Sequence, residues 1–259
     1  EPPGPVHLDV PAELWNVPML PLAVPDLEPL PFDTQALIHL VDAIRKSRRP
    51  LLAVGLQDLS LATADALTSL SNALGIPVIT TYRAKGMIDE GDAWCAGAFG
   101  LSPVVDEHQA ALVRRSDMLI AVGLDPVELR PHWLPGWPAE LPMISINSSP
   151  DIAHPALHTV RGSSADILEA LADHGNGYCS DWSREEIAAH NDRWRAPFED
   201  GPCGPATTIR AVQRGMGTDA ICSMDVGAHR ITASHVWHCT APLQQVQSNG
   251  FSSMGTGLP

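Results

Sequence analysis

The stretch Pro50-Leu-Leu-Ala-Val-Gly55 is a continuous apolar run that ends at a glycine, and Ile76–Tyr82 repeats this pattern further along the chain. Between the two runs, residues 60–74 carry leucines at helical spacing, and Gly75 follows as a residue type that commonly ends helices. Apolar strands that alternate with amphipathic helices form parallel sheets whose two faces are both covered. The sequence therefore predicts an α/β domain with an open, doubly wound, Rossmann-like parallel sheet.

The same alternation continues through the following hundred or so residues. Ser163 or Ser164 can cap a helix that runs to His174. The segment from Tyr82 to about Gly100 is rich in glycine and is predicted to be irregular. We assign residues 34–175 to this domain. Its further predicted elements are a helix at about 104–115 and strands at Asp117–Gly123, Pro142–Asn147 and 157–162.

Two segments without a regular pattern flank the domain. Residues 12–33 contain five prolines, which disfavour both helix and sheet, so we predict an extended linker. Before it, residues 5–10 alternate apolar and polar like a strand without a visible partner, from which we expect a further domain upstream. Residues 176–204 contain one short polar helix at about 183–194 and are predicted to be a second linker.

A second α/β unit begins near residue 205. A helix near 205–216 leads to strand Ala220–Asp225, and a helical segment near 230–238 leads to strand Leu243–Gln247. A unit of roughly 55 residues buries too little surface to be stable alone. We therefore expect the chain to end within an incomplete domain.

The composition disfavours several classes of partner and location. The formal charge of −14 at pH 7 opposes binding to nucleic-acid phosphates and to anionic lipid surfaces. No segment approaches the roughly 20 consecutive apolar residues of a membrane-spanning helix. The five cysteines are scattered and form no C-x-x-C pair, so neither a disulfide framework nor a zinc site is indicated. A reducing cytoplasm is the expected location.

Two short motifs near the end of the chain carry residues suited to an anionic ligand. In Asp225-Val-Gly-Ala-His229 a strand breaks at Gly227, whose missing Cβ lets a phosphate approach the backbone. His229 can donate a hydrogen bond to that phosphate, and Asp225 can order the turn. In Ser253-Met-Gly-Thr-Gly257 small residues open a helix start, where free N–H groups favour anions.

These motifs and three earlier parts of the chain resemble one family, in that family's own order. The resembling segments are Gly4–Pro11, Arg49–Gly55 with Gly75–Gly86, Ser116–Glu128 with Trp133, and Asp225–His229 with Ser248–Gly255. The resemblance is to thiamine-diphosphate-dependent 2-oxo-acid enzymes, the family of acetolactate synthase and pyruvate decarboxylase. It implies that residues 1–11 end a pyrimidine-binding domain, that 34–175 form the central domain, and that 205–259 begin the diphosphate-binding domain.

The resemblance also implies a cofactor site. The residues that it assigns to thiamine diphosphate are Gly227, Ala228, His229, Ser253, Met254 and Gly255. Met254 would be the apolar wedge that holds the cofactor in its bent, reactive shape, a role that suits a flexible and polarizable thioether. Ala228 departs from the family's pattern, which usually has glutamine at this position. The structural alternatives are a simple turn at residues 225–229 and a core position for Met254.

The implied activity is decarboxylation of a 2-oxo acid, with or without carboligation, by a lyase or transferase that uses thiamine diphosphate and Mg²⁺. The family's activating glutamate belongs to the pyrimidine-binding domain, and its Mg²⁺ motif is a Gly-Asp-Gly followed by an asparagine. These 259 residues contain no Gly-Asp-Gly, so we expect neither catalytic residues nor metal ligands in them, and no activity from the chain alone. The whole protein is expected to be a homodimer or homotetramer.

Other interpretations differ in what they leave unexplained. A stand-alone nucleotide-binding or regulatory module could use the same central fold, but it would not need residues 205–259.

Some relatives bind FAD or an adenine nucleotide in this domain. Here the first turn, Gly55-Leu-Gln-Asp58, is not Gly-x-Gly-x-x-Gly, and Leu124–Glu128 resembles flavin-free relatives, so a purely structural domain without FAD is favoured. His235 and His238 share a helix face, but no further metal-ligand cluster accompanies them.

Overall fold

The computed structural model describes residues 9–18, 33–125, 128, 138, 140–148, 158–247, 254–255 and 257. Most of the predicted strand at 5–10 and most of the predicted linker at 12–33 lie outside the described residues, as do Trp133 and Ser253. Ahead of the first domain, the structure describes one short 3-10 helix, Ala12–Leu14.

A six-stranded parallel sheet forms the core of the chain. Its strands are β1 (Pro50–Val54), β2 (Val78–Thr81), β3 (Cys95–Phe99), β4 (Met118–Val122), β5 (Met143–Asn147) and β6 (His158–Arg161). They lie in the order β3-β2-β1-β4-β5-β6, and every neighbouring pair is parallel. This is the strand order of doubly wound nucleotide-binding folds, in which the winding reverses between β1 and β4. The predicted fold class is confirmed.

Helices pack against this sheet, and two of them, α2 and α3, connect its strands. The helices are α1 (Thr34–Lys46), α2 (Leu61–Leu74), α3 (Pro103–Val113), α4 (Ser164–His174) and, beyond β6, α5 (Arg184–Arg195). The Asp33 carboxylate caps α1 by accepting from backbone amides in its first turn, and the Ser163 hydroxyl caps α4 as predicted. Gly75 ends α2 in the left-handed conformation, with φ 67°. β1 and β4 are buried at every position.

The segment Tyr82–Gly100 differs from its prediction, because β3 forms within it and pairs with β2. The sequence of β3, Cys-Ala-Gly-Ala-Phe, has no β-branched residue and gives a weak strand signal. Packing holds this strand instead: a Cβ on Gly97 would lie 2.8 Å from the Trp194 indole. The Asn191 amide also donates to the Cys95 carbonyl at 2.8 Å. The prediction of an irregular segment was therefore wrong at β3.

Helix α5 lies within the predicted second linker but packs against the central domain. Trp182, just before it, is buried, and its Nε1 donates to the Pro50 carbonyl at 2.8 Å. The Arg49 guanidinium lies over the same indole, 3.8 Å from the ring centroid. Ile187 is fully buried on the inner face of the helix. Residues 182–195 are thus part of the folded unit and do not form a free connection.

The second α/β unit consists of α6 (Pro205–Met216), β7 (Cys222–Met224), α7 (Ala228–Val236) and β8 (Gln245–Gln247). β7 and β8 form a parallel two-stranded sheet. Parallel strands are normally covered on both faces. Here several large apolar side chains of this unit are exposed, namely Val212, Met216, Ile221 and Val246. Among the described residues, no helix is long and apolar enough to cross a membrane.

Buried polar contacts join the second unit to the loop that follows β2. The side chain of Lys85 has no exposed surface; its Nζ donates to the Trp237 carbonyl at 2.6 Å and lies 3.2 Å from Glu90 Oε1. Gly86, with φ 85°, approaches Ala241 so closely that a Cβ would lie 1.9 Å from its carbonyl oxygen. The second unit is therefore held against the central domain at a defined position.

Candidate cofactor-binding site

The first predicted motif lies where β7 ends and α7 begins. Asp225 follows the last residue of β7, and Gly227 is the N-cap of α7. No side chain caps this helix. A helix start presents backbone N–H groups and the positive end of the helix dipole, so an anion is favoured there. Ala228 and His229 occupy the first turn of α7, next to that position.

Asp225 connects the two sequence motifs. Its Oδ1 accepts from the Val226 amide at 2.8 Å, and its Oδ2 accepts from the amide of Gly255, 30 residues away in sequence. Gly257 lies against the same residue, because a Cβ there would be 3.0 Å from the Asp225 nitrogen. The two motifs therefore lie side by side, and backbone donors satisfy the carboxylate between them.

Glycine at position 227 determines where His229 lies. A Cβ on Gly227 would be 2.7 Å from Nδ1 and Cε1 of the His229 ring, which is closer than side chains approach one another. The absence of a side chain thus lets the imidazole fold back over the turn. His229 is itself exposed, so its ring is accessible to a ligand bound at the surface.

The other predicted site residues are partly described. Ala228 is exposed in the first turn of α7, and Gly255 has φ 88°. Met254 is 79% exposed among the described residues. Ser253 lies outside the described residues. The structure brings together residues 225–229, 254, 255 and 257, and the binding role of each stays a prediction.

A cavity of about 430 Å³ adjoins this junction. Its lining includes Met224, Asp225, His229, Trp237 and Gly257. An anion at the start of α7 would lie at the edge of this cavity. Phosphate groups in nucleotide-binding proteins occupy this kind of arrangement, in which a strand ends at a glycine turn and an uncapped helix starts beside a cavity.

The crevice at the carboxyl ends of the central strands is occupied by a side chain of the protein itself. Ligands of doubly wound sheets bind beyond the carboxyl ends of the strands where the winding reverses, here β1 and β4. Glu128 fills this position: it is 5% exposed, and its Oε2 accepts from the Leu56 amide at 3.2 Å. A Cβ on Gly55 would lie 2.8 Å from that oxygen and 2.6 Å from the Gly123 carbonyl oxygen. A carboxylate of the chain therefore occupies the place of a phosphate.

Burial governs the ionisation of Glu128. It raises the pKa of this carboxyl to about 7, although hydrogen bonds from Thr81 and Leu56 and the charge of Arg83 oppose the rise. The crevice thus contains a carboxyl group that holds its proton more tightly than an exposed glutamate does.

The two histidines considered for a metal site have different surroundings. His235 is buried, and its ring nitrogens have no hydrogen-bond partner within the described residues. His238 is partly exposed and lies 3.3 Å from Asp89 Oδ1. Across the ranges that the structure describes, no group of three His, Cys, Asp or Glu residues is placed to hold a metal ion.

Sequence reasoning did not find the roles of Lys85, Glu90 and Glu128. Lys85 follows a buried strand and stands between the apolar residues Ala84 and Met87, which is an unusual place for a lysine and was an available signal. The partner carbonyl of Trp237 is 152 residues away, so that pairing itself could not be predicted.

Comparison with known proteins agrees with the fold. Residues 37–171 match the family model described as the thiamine pyrophosphate enzyme central domain. The acetolactate synthase large subunit of Parasynechococcus marenigrum is 31% identical over 99% of this chain and 44% of its own length. Pyruvate oxidase of Lactiplantibacillus plantarum is 25% identical over 96% of this chain and 42% of its own length. A solved structure described as a thiamin diphosphate-dependent enzyme from Mycobacterium smegmatis has a TM-score of 0.71 at 17% identity, over 91% of this chain and 45% of its own.

The chain spans less than half the length of these curated relatives. The family model covers more than half of the chain itself, from Leu37 to Leu171. The matched residues begin in α1 and end in α4, so that they contain the whole six-stranded sheet. The chain belongs to the thiamine pyrophosphate enzyme family.

Proposed function

We propose that these residues are part of a thiamine-diphosphate-dependent enzyme that decarboxylates a 2-oxo acid, with or without carboligation, in the manner of acetolactate synthase. The observation that carries this proposal is the meeting of Asp225 with Gly255 and Gly257 beside the uncapped start of α7. Two segments that resemble the opening motifs of a diphosphate-binding domain thereby share one surface. Membership of the family supports the same assignment.

The residues present fit a diphosphate group. Positions 227 and 257 are glycines at which a Cβ would crowd His229 or Asp225, and the first turn of α7 has no capping side chain. We assign cofactor binding to Gly227, Ala228, His229, Ser253, Met254 and Gly255. When bound, thiamine diphosphate supplies the stabilised carbanion on which decarboxylation of 2-oxo acids depends.

Each part of this surface has its own task. The first-turn amides of α7 and the His229 ring hold the diphosphate, and Asp225 fixes the distance between the two segments. Met254, exposed beside Gly255, supports the ring system of the cofactor. We propose Mg²⁺ as the counter-ion of the diphosphate in the whole protein, although these 259 residues contain no Gly-Asp-Gly.

We propose a structural role without FAD for the central domain. The Glu128 carboxylate accepts from the Leu56 amide in the crevice where a dinucleotide phosphate would otherwise accept. A bound phosphate would have to displace a buried side chain and would meet a second negative charge. The same contact counts against a stand-alone nucleotide-binding module. We further propose that the whole protein is a homodimer or homotetramer in the cytoplasm.

Calorimetry with thiamine diphosphate and Mg²⁺ tests the site in the full-length protein. His229→Ala should weaken cofactor binding by about tenfold or more, the effect of one hydrogen bond to a charged acceptor, and should lower turnover at saturating cofactor less. His174→Ala, which removes an exposed imidazole on α4, is the matched control and should leave the dissociation constant unchanged. Equal affinity of the His229→Ala variant and the unaltered protein would remove this residue from the site.

The 259 residues expressed by themselves provide a second test. We propose that they neither turn over pyruvate nor bind thiamine diphosphate measurably, because the family's activating glutamate and Mg²⁺ motif are not among them. A micromolar dissociation constant for the cofactor in calorimetry would show that the domain assignment of residues 205–259 is wrong.

A further inference from the structure

A second cavity lies where α5, α6 and the end of α7 meet the loop that follows β2. Its volume is about 730 Å³, which is within the range of small-molecule sites. It shares no lining residue with the cavity beside the proposed cofactor site. Its walls include Trp194, Arg195, Phe198, Arg210, Arg214 and His235.

The charge of this cavity is opposite to that of the chain. The whole sequence has 30 acidic and 16 basic residues, yet three arginines line the cavity together with a single carboxylate, Glu90. That carboxylate is already engaged, because its oxygens contact Lys85 Nζ at 3.2 Å and the Cys239 amide at 2.8 Å. The cavity is therefore a local cationic site on an acidic protein.

Two of the three arginines are available to a ligand. Arg210 is held by Glu199 at 3.0 Å and by the Phe198 carbonyl at 3.1 Å. Arg195 lies over the Trp194 ring, and neither it nor Arg214 forms an ion pair in the part of the chain that the structure describes. Guanidinium groups bind carboxylate and phosphate oxygens through paired N–H donors.

The inner wall of the cavity is planar and uncharged. The His235 ring lies 5.5 Å from the Phe198 ring and 6.2 Å from the Trp194 ring, measured between centroids. Burial lowers the pKa of His235 to about 3, so the imidazole is neutral at physiological pH. Trp194 and His235 are buried, so Phe198 is the part of this aromatic cluster that a ligand ring can contact, next to the two available arginines.

We propose that this cavity binds a small molecule that combines a planar apolar ring with a carboxylate or phosphate group. The ring lies against Phe198, and Arg195 and Arg214 hold the anionic group. Such a ligand also touches the loop of Glu90, so its binding connects the central domain to the second α/β unit. This site goes beyond the proposed enzymatic function and does not depend on it.

Calorimetry on the 259-residue chain tests the proposal with phenyl phosphate and benzoate as probes. At least one of them should bind saturably with a dissociation constant below about 1 mM. The tighter of the two indicates whether phosphate or carboxylate is the preferred anion. Phenol, which lacks the charge, and inorganic phosphate, which lacks the ring, should both bind more weakly than that probe.

The arginine pair is tested by substitution. Arg195→Gln combined with Arg214→Gln should weaken binding of the better probe about tenfold or more, because each charge-assisted contact is lost. Arg114→Gln removes an exposed arginine at the end of α3 and should have no effect. Phe198→Leu should weaken binding by removing the flat surface.

Four results would overturn the proposal: no saturable binding of either anion, unchanged affinity in the double variant, phenol that binds as tightly as the anions, or inorganic phosphate that does so.

Discussion

Lys85 is a buried cation whose removal should destabilise the chain far more than removal of an exposed one. Its side chain has no exposed surface, and that of its partner Glu90 is 11% exposed. Lys85→Met leaves the Glu90 carboxylate and the Trp237 carbonyl without their common partner. Truncating one member of a buried ion pair costs about 3–5 kcal/mol. We expect the lower end, about 3 kcal/mol, because Glu90 keeps its hydrogen bond from the Cys239 amide.

Urea unfolding followed by circular dichroism measures this loss against a total stability of about 5–15 kcal/mol. Arg48→Gln is the matched control, because Arg48 and Asp181 form an ion pair with side chains that are 80% and 44% exposed. Exposed pairs contribute about 0–1 kcal/mol. Hydrogen exchange should show that Lys85→Met loosens residues 228–247 more than the central sheet, since Lys85 holds the two units together.

A double variant separates the charge of Glu90 from the loss of packing. Lys85→Met with Glu90→Gln should be more stable than Lys85→Met alone, because glutamine carries no charge and can still accept from the Cys239 amide. The reasoning fails if Lys85→Met costs less than about 1 kcal/mol, or if adding Glu90→Gln makes the protein less stable still.

Three further changes have outcomes that the structure specifies. Glu128 has a folded pKa of about 7 against 4.5 unfolded, so its contribution to the free energy of unfolding should fall as pH rises from about 4.5 to 7. Burial lowers the pKa of His190 and His235, which contribute a rise in part of the same window, so the test compares two proteins. In urea titrations Glu128→Gln should gain stability relative to the unaltered protein as pH rises from about 4.5 to 7; a constant difference between the two would contradict the assignment. Gly86→Ala should destabilise the chain more than Gly177→Ala, because both have φ near 85° but only at Gly86 would the Cβ meet the Ala241 carbonyl. Equal losses in the same titrations would refute this account of the joint. In the full-length protein Met254→Leu should keep most of its turnover, whereas Met254→Ala should lose on the order of a hundredfold at saturating cofactor; unchanged turnover of the alanine variant in steady-state assays would exclude Met254 as the wedge.

The strands that sequence reasoning found are those whose signal is local. β1 and β4 are continuous apolar runs between helices, and their burial at every position follows from that pattern. β3 was missed because its small residues fit beneath Trp194, a side chain 97 residues further along than Gly97. Local propensity does not contain that information. For the same reason Trp182, which donates to the Pro50 carbonyl, was assigned to a linker.

The candidate site likewise combines local signals, which the sequence shows, with a long-range contact, which it does not. The residue types at Gly227 and His229 indicate an anion site through local chemistry, since a glycine turn before a helix start is readable in sequence. The hydrogen bond from Gly255 to Asp225 is not readable in this way, because either motif alone is compatible with an ordinary turn. Their contact, which only the folded chain shows, combines two weak sequence signals into one candidate surface.

In the central sheet and in the second unit alike, a parallel strand ends beside backbone amides that can donate to an anion. The two units differ in the group that accepts from these amides. In the central domain Glu128 supplies that partner from within the chain, at the cost of burying a carboxyl whose pKa rises to about 7. At the start of α7 no side chain plays this part, and Asp225 instead turns its oxygens to the amides of Val226 and Gly255. Because an internal carboxylate accepts at the first position, we propose the second as the place for an external anion. On this proposal, the strand order typical of nucleotide-binding folds does not by itself locate the ligand.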